Sequence, residues 1–169
     1  ARSSDGASTW TDPMALNTNA PTDSAADLFS PALCTNRSGV WIAAWPSEGD
    51  LGGTIGTDRD ILFARSTDNG ATWSAPLPID PNATADAGTD DRVTLGYGGG
   101  VFVALWQSDD GASGPDLEIR FSRSTDGGLT WTPGVLLTSN MANDTWPTVA
   151  SDGMGNWVAI WQSDDNLLG

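Results

Sequence analysis

The stretch Ser66-Thr67-Asp68-Asn69-Gly70-Ala71-Thr72-Trp73 decides how this chain folds, because it recurs. It returns in full as Ser124-Thr125-Asp126-Gly127-Gly128-Leu129-Thr130-Trp131 and, degenerate, as Ser3-Ser4-Asp5-Gly6-Ala7-Ser8-Thr9-Trp10. A second element, Val40-Trp41-Ile42-Ala43-Ala44-Trp45, returns as Val101 to Trp106 and as Asn156 to Trp161. The motif aspartates lie 63 and 58 residues apart, and Trp45, Trp106 and Trp161 lie 61 and 55 apart. Both series describe one unit, and self-similarity on such a period marks a repeat architecture.

Within a unit the apolar runs are short, rich in Val, Ile, Phe, Trp and Thr, and punctuated by Gly, Asp, Asn, Ser and Pro. That is the pattern of strands joined by turns, and no stretch sustains a helical period. In the second unit the expected strands are 92–95, 101–106, 117–122 and 134–138. Four antiparallel strands per repeat make the blade of a propeller. The second strand is apolar at both parities, Val101, Val103 and Leu105 against Phe102, Ala104 and Trp106, as a strand covered on both faces requires.

The eight-residue element resembles the Asp-box, or BNR repeat, of sialidase-like propellers. Ser-x-Asp-x-Gly-x-Thr-Trp is complete twice, each time after an Ile-x-Phe-x-Arg strand (Ile61, Phe63, Arg65; Ile119, Phe121, Arg123), and the resemblance covers essentially the whole chain. Physically the element is a turn between third and fourth strands. Its Asp accepts backbone N–H bonds, its Gly supplies a positive φ, and its Trp packs beside the sheet. Asp5, Asp68, Asp126, Trp10, Trp73 and Trp131 therefore read as structural residues. The resemblance also implies that these turns lie on the face opposite an active site. Ala7 stands where the other copies have Gly, so the first turn is expected to be strained or differently shaped.

The phase of the repeat is informative. Residues 1–16 read as the second half of a blade, with a fourth strand at Thr11 to Leu16; 24–80 and 90–138 read as whole blades; and 145–169 read as the first half of a blade. Two blades and two complementary halves amount to three blade equivalents with a raw strand edge at each end. Two copies related by a two-fold axis would complete a six-bladed ring, so the expected assembly is a homodimer. The competing expectation is part of a longer six-bladed polypeptide.

Charge narrows the partners. Of 169 residues, seven are Arg, none Lys or His, and 22 Asp or Glu, for a net charge of -15. Phosphate backbones and anionic lipid would repel such a chain, so neither nucleic acid nor a membrane surface is an expected partner. Without His, triad chemistry and His-ligated zinc are excluded within one copy. Cys34, the single cysteine, sits among apolar neighbours and reads as a small buried side chain rather than a reactive thiol. No apolar run approaches the length of a bilayer span, and Ala1-Arg2-Ser3-Ser4-Asp5 lacks a signal-peptide layout. The composition suits an extracellular or periplasmic bacterial protein.

Candidate chemistry concentrates in acidic loops between second and third strands and between blades. Ser108-Asp109-Asp110 recurs as Ser163-Asp164-Asp165, and Asp90-Asp91-Arg92 opens a first strand. Clustered carboxylates could hold Ca²⁺, supply a general acid, or form a solvated rim. Arg92, aligned with Pro31 and Pro147, is the arginine expected to face a central pocket, or else to bridge Asp90 or Asp91. Trp146 is placed either for core packing or for stacking on a sugar. A sialidase resemblance implies an arginine triad, a Tyr with a Glu partner and an Asp acid/base. The single Tyr97, aligned with Asn36 and Asp152, falls on the wrong face; Glu118 aligns with Asp60 on a third strand, and Glu48 lies in a loop without a Tyr partner. Arg2, Arg65 and Arg123 repeat in phase and read as structural ion-pair formers. The expected function is a non-catalytic, sialidase-like propeller binding a glycan, a cation or a protein; the alternative is a glycoside hydrolase or a fragment of one.

Overall fold

A computed structural model describes residues 1–18, 30–85, 87–110 and 116–166; the expected blade boundary at 24 and the final residues 167–169 lie outside the described residues. Among the described residues there are ten strands and no helix. They are β1 (Ala32–Thr35), β2 (Trp41–Ser47), β3 (Asp60–Ser66), β4 (Leu77–Pro78), β5 (Asp90–Gly98), β6 (Val101–Ser108), β7 (Glu118–Ser124), β8 (Val135–Leu136), β9 (Asp144–Ser151) and β10 (Trp157–Ser163). They form two four-stranded antiparallel sheets, ordered β1-β2-β3-β4 and β5-β6-β7-β8, and a pair, β9-β10.

The fourth strands are the weakest elements, two residues each against the five expected at 134–138. Thr11 to Leu16, expected as a strand, is irregular. Pro13 has no N–H to give a ladder. The segment still begins as the other fourth strands do: the N–H of Thr11 bonds the Arg2 carbonyl at 2.9 Å, as Ser74 bonds Arg65 at 2.9 Å and Thr132 bonds Arg123 at 3.0 Å.

Alternation along β2 explains the stacking of the sheets. Ile42 and Ala44 enter a core shared with Phe63, Phe102, Trp106 and Trp131, which span the first and second sheets. Ala43 and Trp45 point the other way, into a cluster flanked by Leu16 and Trp73. Burial of each large apolar side chain here stabilises by roughly 1.5–3 kcal/mol. The motif tryptophans record position in the stack. Trp131 sits edge-on against Phe63 of the preceding sheet, ring centroids 5.7 Å apart, and is 7% exposed, whereas Trp10, at the start of the stack, is 63% exposed.

Each third strand runs into the same turn. Asp68 Oδ1 accepts the Ser66 hydroxyl (2.8 Å) and the N–H groups of Ala71 (3.0 Å) and Thr72 (2.9 Å), while Oδ2 accepts the Thr72 hydroxyl at 2.6 Å. Asp126 and Asp5 repeat the pattern with Leu129 and Thr130, and with Ser8 and Thr9. Such hydrogen bonding favours the ionised form. The Thr9 hydroxyl and amide, followed by the Ser3 hydroxyl, hold Asp5 down to about 2, and the equivalent Thr and Ser groups hold Asp68 and Asp126 lower still. Two left-handed residues follow each aspartate: Gly6 and Ala7 (φ 70° and 65°), Asn69 and Gly70 (58° and 78°), Gly127 and Gly128 (76° and 82°). Ala7 thus keeps the common shape and carries the strain, which resolves the expectation at that position.

Two ties join consecutive sheets at opposite ends of the third strand. At its start, the Asp90 N–H bonds the Arg59 carbonyl (2.8 Å) and the Asp144 N–H bonds the Leu117 carbonyl (2.7 Å). At its end, Arg2 Nε donates to the Asn69 carbonyl (2.9 Å) and Arg65 Nε to the Gly127 carbonyl (2.7 Å). Arg2 and Arg65, expected as ion-pair formers, instead bond main-chain oxygens of the next turn, because left-handed residues point their carbonyls outward. Arg123, third in the series, is exposed.

Ala7→Gly should stabilise the chain by about 0.5–1 kcal/mol in urea denaturation, relief of left-handed strain exceeding the entropy of glycine. Because the turn carboxylates have depressed folded-state pKa values, their contribution is present above the ordinary carboxylate range and lost as they protonate. The melting temperature should therefore fall from about pH 5 toward pH 2, and less steeply in an Asp68→Asn, Asp126→Asn variant whose melting temperature is already lower at neutral pH.

Candidate functional site at the start of the first strands

The first strands β1, β5 and β9 lie side by side, with β5 between the other two. Pairing fixes their relative register: Ala32 faces Ala44, Thr94 faces Leu105, and Thr148 faces Ile160, all at the same position of the repeated second strand. Two residues upstream stand Ser30, Arg92 and Trp146. All three are left-handed, with φ of 73°, 58° and 54°. None is Gly or Asn, so each carries strain on the order of 1–2 kcal/mol. Strain repeated at one structural position marks a built feature rather than an accident.

The three side chains belong to one group. The Arg92 guanidinium carbon stands 3.5 Å over the centre of the Trp146 ring, and Arg92 Nη1 donates to the Ser30 hydroxyl at 3.4 Å. The backbone N–H of Trp146 donates to Gln107 Oε1 at 3.2 Å, which ties the group to the end of β6. Trp146 remains 51% exposed. A flat cation laid on a half-exposed indole gives an amphipathic platform: apolar ring, bidentate donors, and little rotamer freedom left to lose.

Here the structure shifts the alignment read from sequence. Arg92 corresponds to Ser30 and Trp146, not to Pro31 and Pro147, because the β5–β6 turn is one residue shorter than its counterparts: Tyr97 pairs with Phe102, five residues on, whereas Thr35 pairs with Trp41 and Ser151 with Trp157, six residues on. Asp91, expected as a partner for the Arg92 charge, accepts its backbone N–H at 2.7 Å and faces Arg59 Nη1 at 3.5 Å. Tyr97 also moves by one residue. It faces Phe102 as Thr35 faces Trp41 and Ser151 faces Trp157, at the far end of the first strands. There it lines a 330 Å³ cavity with Leu33, Cys34 and Ala150; burial pushes the Cys34 thiol up. Glu118 does align with Asp60, each opposite a serine of the second strand, and is fully buried with Oε2 accepting the Thr138 hydroxyl at 2.6 Å.

The acidic loops are occupied by their own chain. Asp109 accepts the Thr89 N–H, and Asp164, in the equivalent place, accepts the Asn143 N–H (2.6 Å) and side-chain amide (3.0 Å), which hold its carboxyl below the usual range. Asp110 pairs with Arg120 at 2.6 Å. Asp165 is exposed, its N–H donating to the Ser163 hydroxyl. Among the described residues no three acidic or Cys side chains converge as metal ligands would; the Asp109 and Asp164 bonds close the ends of β6 and β10 onto the starts of β5 and β9. Ser30 and Gln107 are not among the expected site residues; allowing for the shorter β5–β6 turn, the repeat register points to Ser30.

Comparison with solved structures gives the fold. Hadza microbial sialidase Hz136 superposes with a TM-score of 0.54 at 19% identity, covering 70% of this chain and 27% of its own. The α-L-arabinanase of Penicillium chrysogenum, solved with arabinobiose, superposes with a TM-score of 0.55 at 12% identity, covering 77% of this chain and 38% of its own. Both are β-propeller glycoside hydrolases, and this chain has the same all-β, propeller-like fold while spanning 27% and 38% of their lengths. No family model matches, and no curated protein matches. Among the described residues no helix is long and apolar enough to cross a membrane.

If the Arg92–Trp146 pair is a recognition device rather than a structural clamp, stability should not depend on it. Arg92→Gly relieves about 1–2 kcal/mol of strain and removes a cation–π contact worth about 0.5–1 kcal/mol, so urea denaturation should show unchanged or slightly raised stability. A loss above about 2 kcal/mol would assign the pair to the fold.

Proposed function

We propose that this chain is a carbohydrate-binding, sialidase-like propeller unit whose ligand rests on Trp146 and Arg92. The observation that carries this is the convergence of Ser30, Arg92 and Trp146 at one strained position of three successive first strands, on the end of the sheets opposite the aspartate turns. Sugars combine apolar faces with hydroxyls, and a half-exposed indole beside a guanidinium meets both. In a chain of net charge -15 the guanidinium also gives a local preference for a sugar carrying a carboxylate. The structural neighbours that act on glycans support the same ligand class. Asp109, Asp110, Asp164 and Asp165 then act as rim residues, three of them already engaged within the chain. A cation or a protein is a weaker choice of ligand, since the platform presents one guanidinium over one aromatic face. Export from a bacterial cell suits a glycan-facing role.

The second reading is a glycoside hydrolase of which this chain is part, and the modest share of both hydrolase chains that it spans favours it. In that case Arg92 and Trp146 serve substrate binding and the nucleophile lies on other sequence, because Tyr97 stands at the far end of the first strands.

Isothermal titration against acidic and neutral oligosaccharides distinguishes these. The binding reading predicts that Trp146→Ala and Arg92→Ala each weaken a bound glycan at least about tenfold, with melting temperature unchanged, and that the chain alone does not turn over a fluorogenic sialoside. Turnover that is lost in Arg92→Ala would establish the hydrolase reading. Glycan binding unaffected by either variant would contradict the proposed site.

A further inference from the structure

The Arg92 guanidinium is a cation with an acid one residue away that does not neutralise it. Among the described residues it meets the Trp146 ring and the Ser30 hydroxyl, and no carboxylate lies within ion-pair distance of it. Asp91 is engaged elsewhere: Oδ1 accepts the backbone N–H of Arg92 at 2.7 Å, and Oδ2 faces Arg59 Nη1 at 3.5 Å. Arg59 is anchored on its other side by Glu48, Nη2 to Oε1 at 3.1 Å, and its own carbonyl accepts the Asp90 N–H at 2.8 Å. Main chain and side chain together therefore fix Arg59 against the start of β5. That position is costly, because Arg59 Nε is buried with no hydrogen-bond partner among the described residues.

The next junction of the repeat supplies a comparison. Leu117 stands where Arg59 does, its carbonyl accepting the Asp144 N–H, and Thr145 stands where Asp91 does, opposite Gln162 as Asp91 is opposite Gln107. The residue that follows is Trp146, which has no charge to neutralise. An arginine just before the third strand thus accompanies the acid and the cation together, and all three are absent from the junction whose platform residue is an indole.

We propose that Arg59 is a specificity-determining residue of the platform: it draws Asp91 away from the Arg92 guanidinium and so keeps that cation available to an anionic group on the ligand. This role rests on the carbohydrate reading above and adds the residue that sets its charge preference. Asp91 and Arg92 are neighbours in the chain, and a carboxylate released from Arg59 would turn to the guanidinium in a charge-assisted bond. Held between Arg59 and the Arg92 amide, it instead fixes the main chain of Arg92 while the side chain stays on Trp146. A carboxylated sugar then meets an unneutralised donor fork. A neutral sugar, which rests mainly on the indole face, is far less sensitive to that charge.

Isothermal titration with an oligosaccharide ending in glucuronate and with its glucose-ended counterpart tests this, beside the Arg92 Nε–Hε cross-peak of the sugar-free protein, assigned by its loss in Arg92→Lys. Arg59→Gln should weaken the glucuronate ligand about tenfold, leave the glucose ligand within about twofold, and shift the cross-peak. Adding Asp91→Asn should restore both affinity and resonance, and Arg59→Lys, which keeps the charge, should stay close to the unsubstituted protein. Equal weakening of both sugars by Arg59→Gln, with no rescue by Asp91→Asn, would assign Arg59 a structural role and overturn the proposal, as would a cross-peak that does not move. If the unsubstituted chain binds neither sugar, the carbohydrate reading falls, and the cross-peak with its rescue alone decides whether Arg59 holds Asp91 off Arg92.

Discussion

Sheet is fastened to sheet by a peptide oxygen that only a left-handed turn can offer. The aspartate after each third strand accepts from two amides and two hydroxyls, which forces the next two residues to positive φ and turns a carbonyl outward. The arginine of the preceding sheet reaches that carbonyl, Arg2 to Asn69 and Arg65 to Gly127. The tryptophan that ends the motif packs back on the same neighbour, as Trp131 does on Phe63. One eight-residue element therefore shapes its own hairpin and sets the distance to the adjacent sheet. It needs no buried charge to do so, because the carboxylates stay at the surface and are held ionised by hydrogen bonds.

With that end of the stack fixed by turns, the other end is free to carry chemistry. The Asp90 and Asp144 amides tie successive first strands to the preceding third strands, and the bulges just beyond them swing Arg92 and Trp146 into left-handed conformations that face one another. Structural economy and recognition thus occupy opposite ends of the same strands. The acidic loops contribute mainly by closing on themselves, Asp109 on Thr89 and Asp164 on Asn143.

Much of the fold could be read from the repeat because the repeat is made of side chains with local jobs: alternating apolar residues in β2 and β6, and turn residues whose conformational needs are intrinsic. Less visible were features set by the main chain. Arg2 and Arg65 look like ion-pair formers in the sequence because their acceptor is a carbonyl, which leaves no trace in the residue types. The alignment of Arg92 shifts by one position because the β5–β6 turn is one residue shorter than those of the other two pairs, a deletion that the residue types do not announce. Thr11 to Leu16 and the two-residue fourth strands show that the outermost strand, with one neighbour and a Pro in it, gains too little from pairing to be regular. In the acidic loops, charge density is apparent in the sequence, whereas the amides that bond Asp109 and Asp164 are not.

The account turns on the separation of a turn end that builds the fold from a first-strand end that binds. Chemical-shift mapping of the backbone amides during titration with an acidic oligosaccharide tests that separation most directly. It predicts saturable shifts at Ser30, Arg92, Gln107 and Trp146, with Asp68 to Trp73 and Asp126 to Trp131 unmoved. Shifts concentrated in the aspartate turns, with the Arg92 and Trp146 amides unchanged, would contradict it.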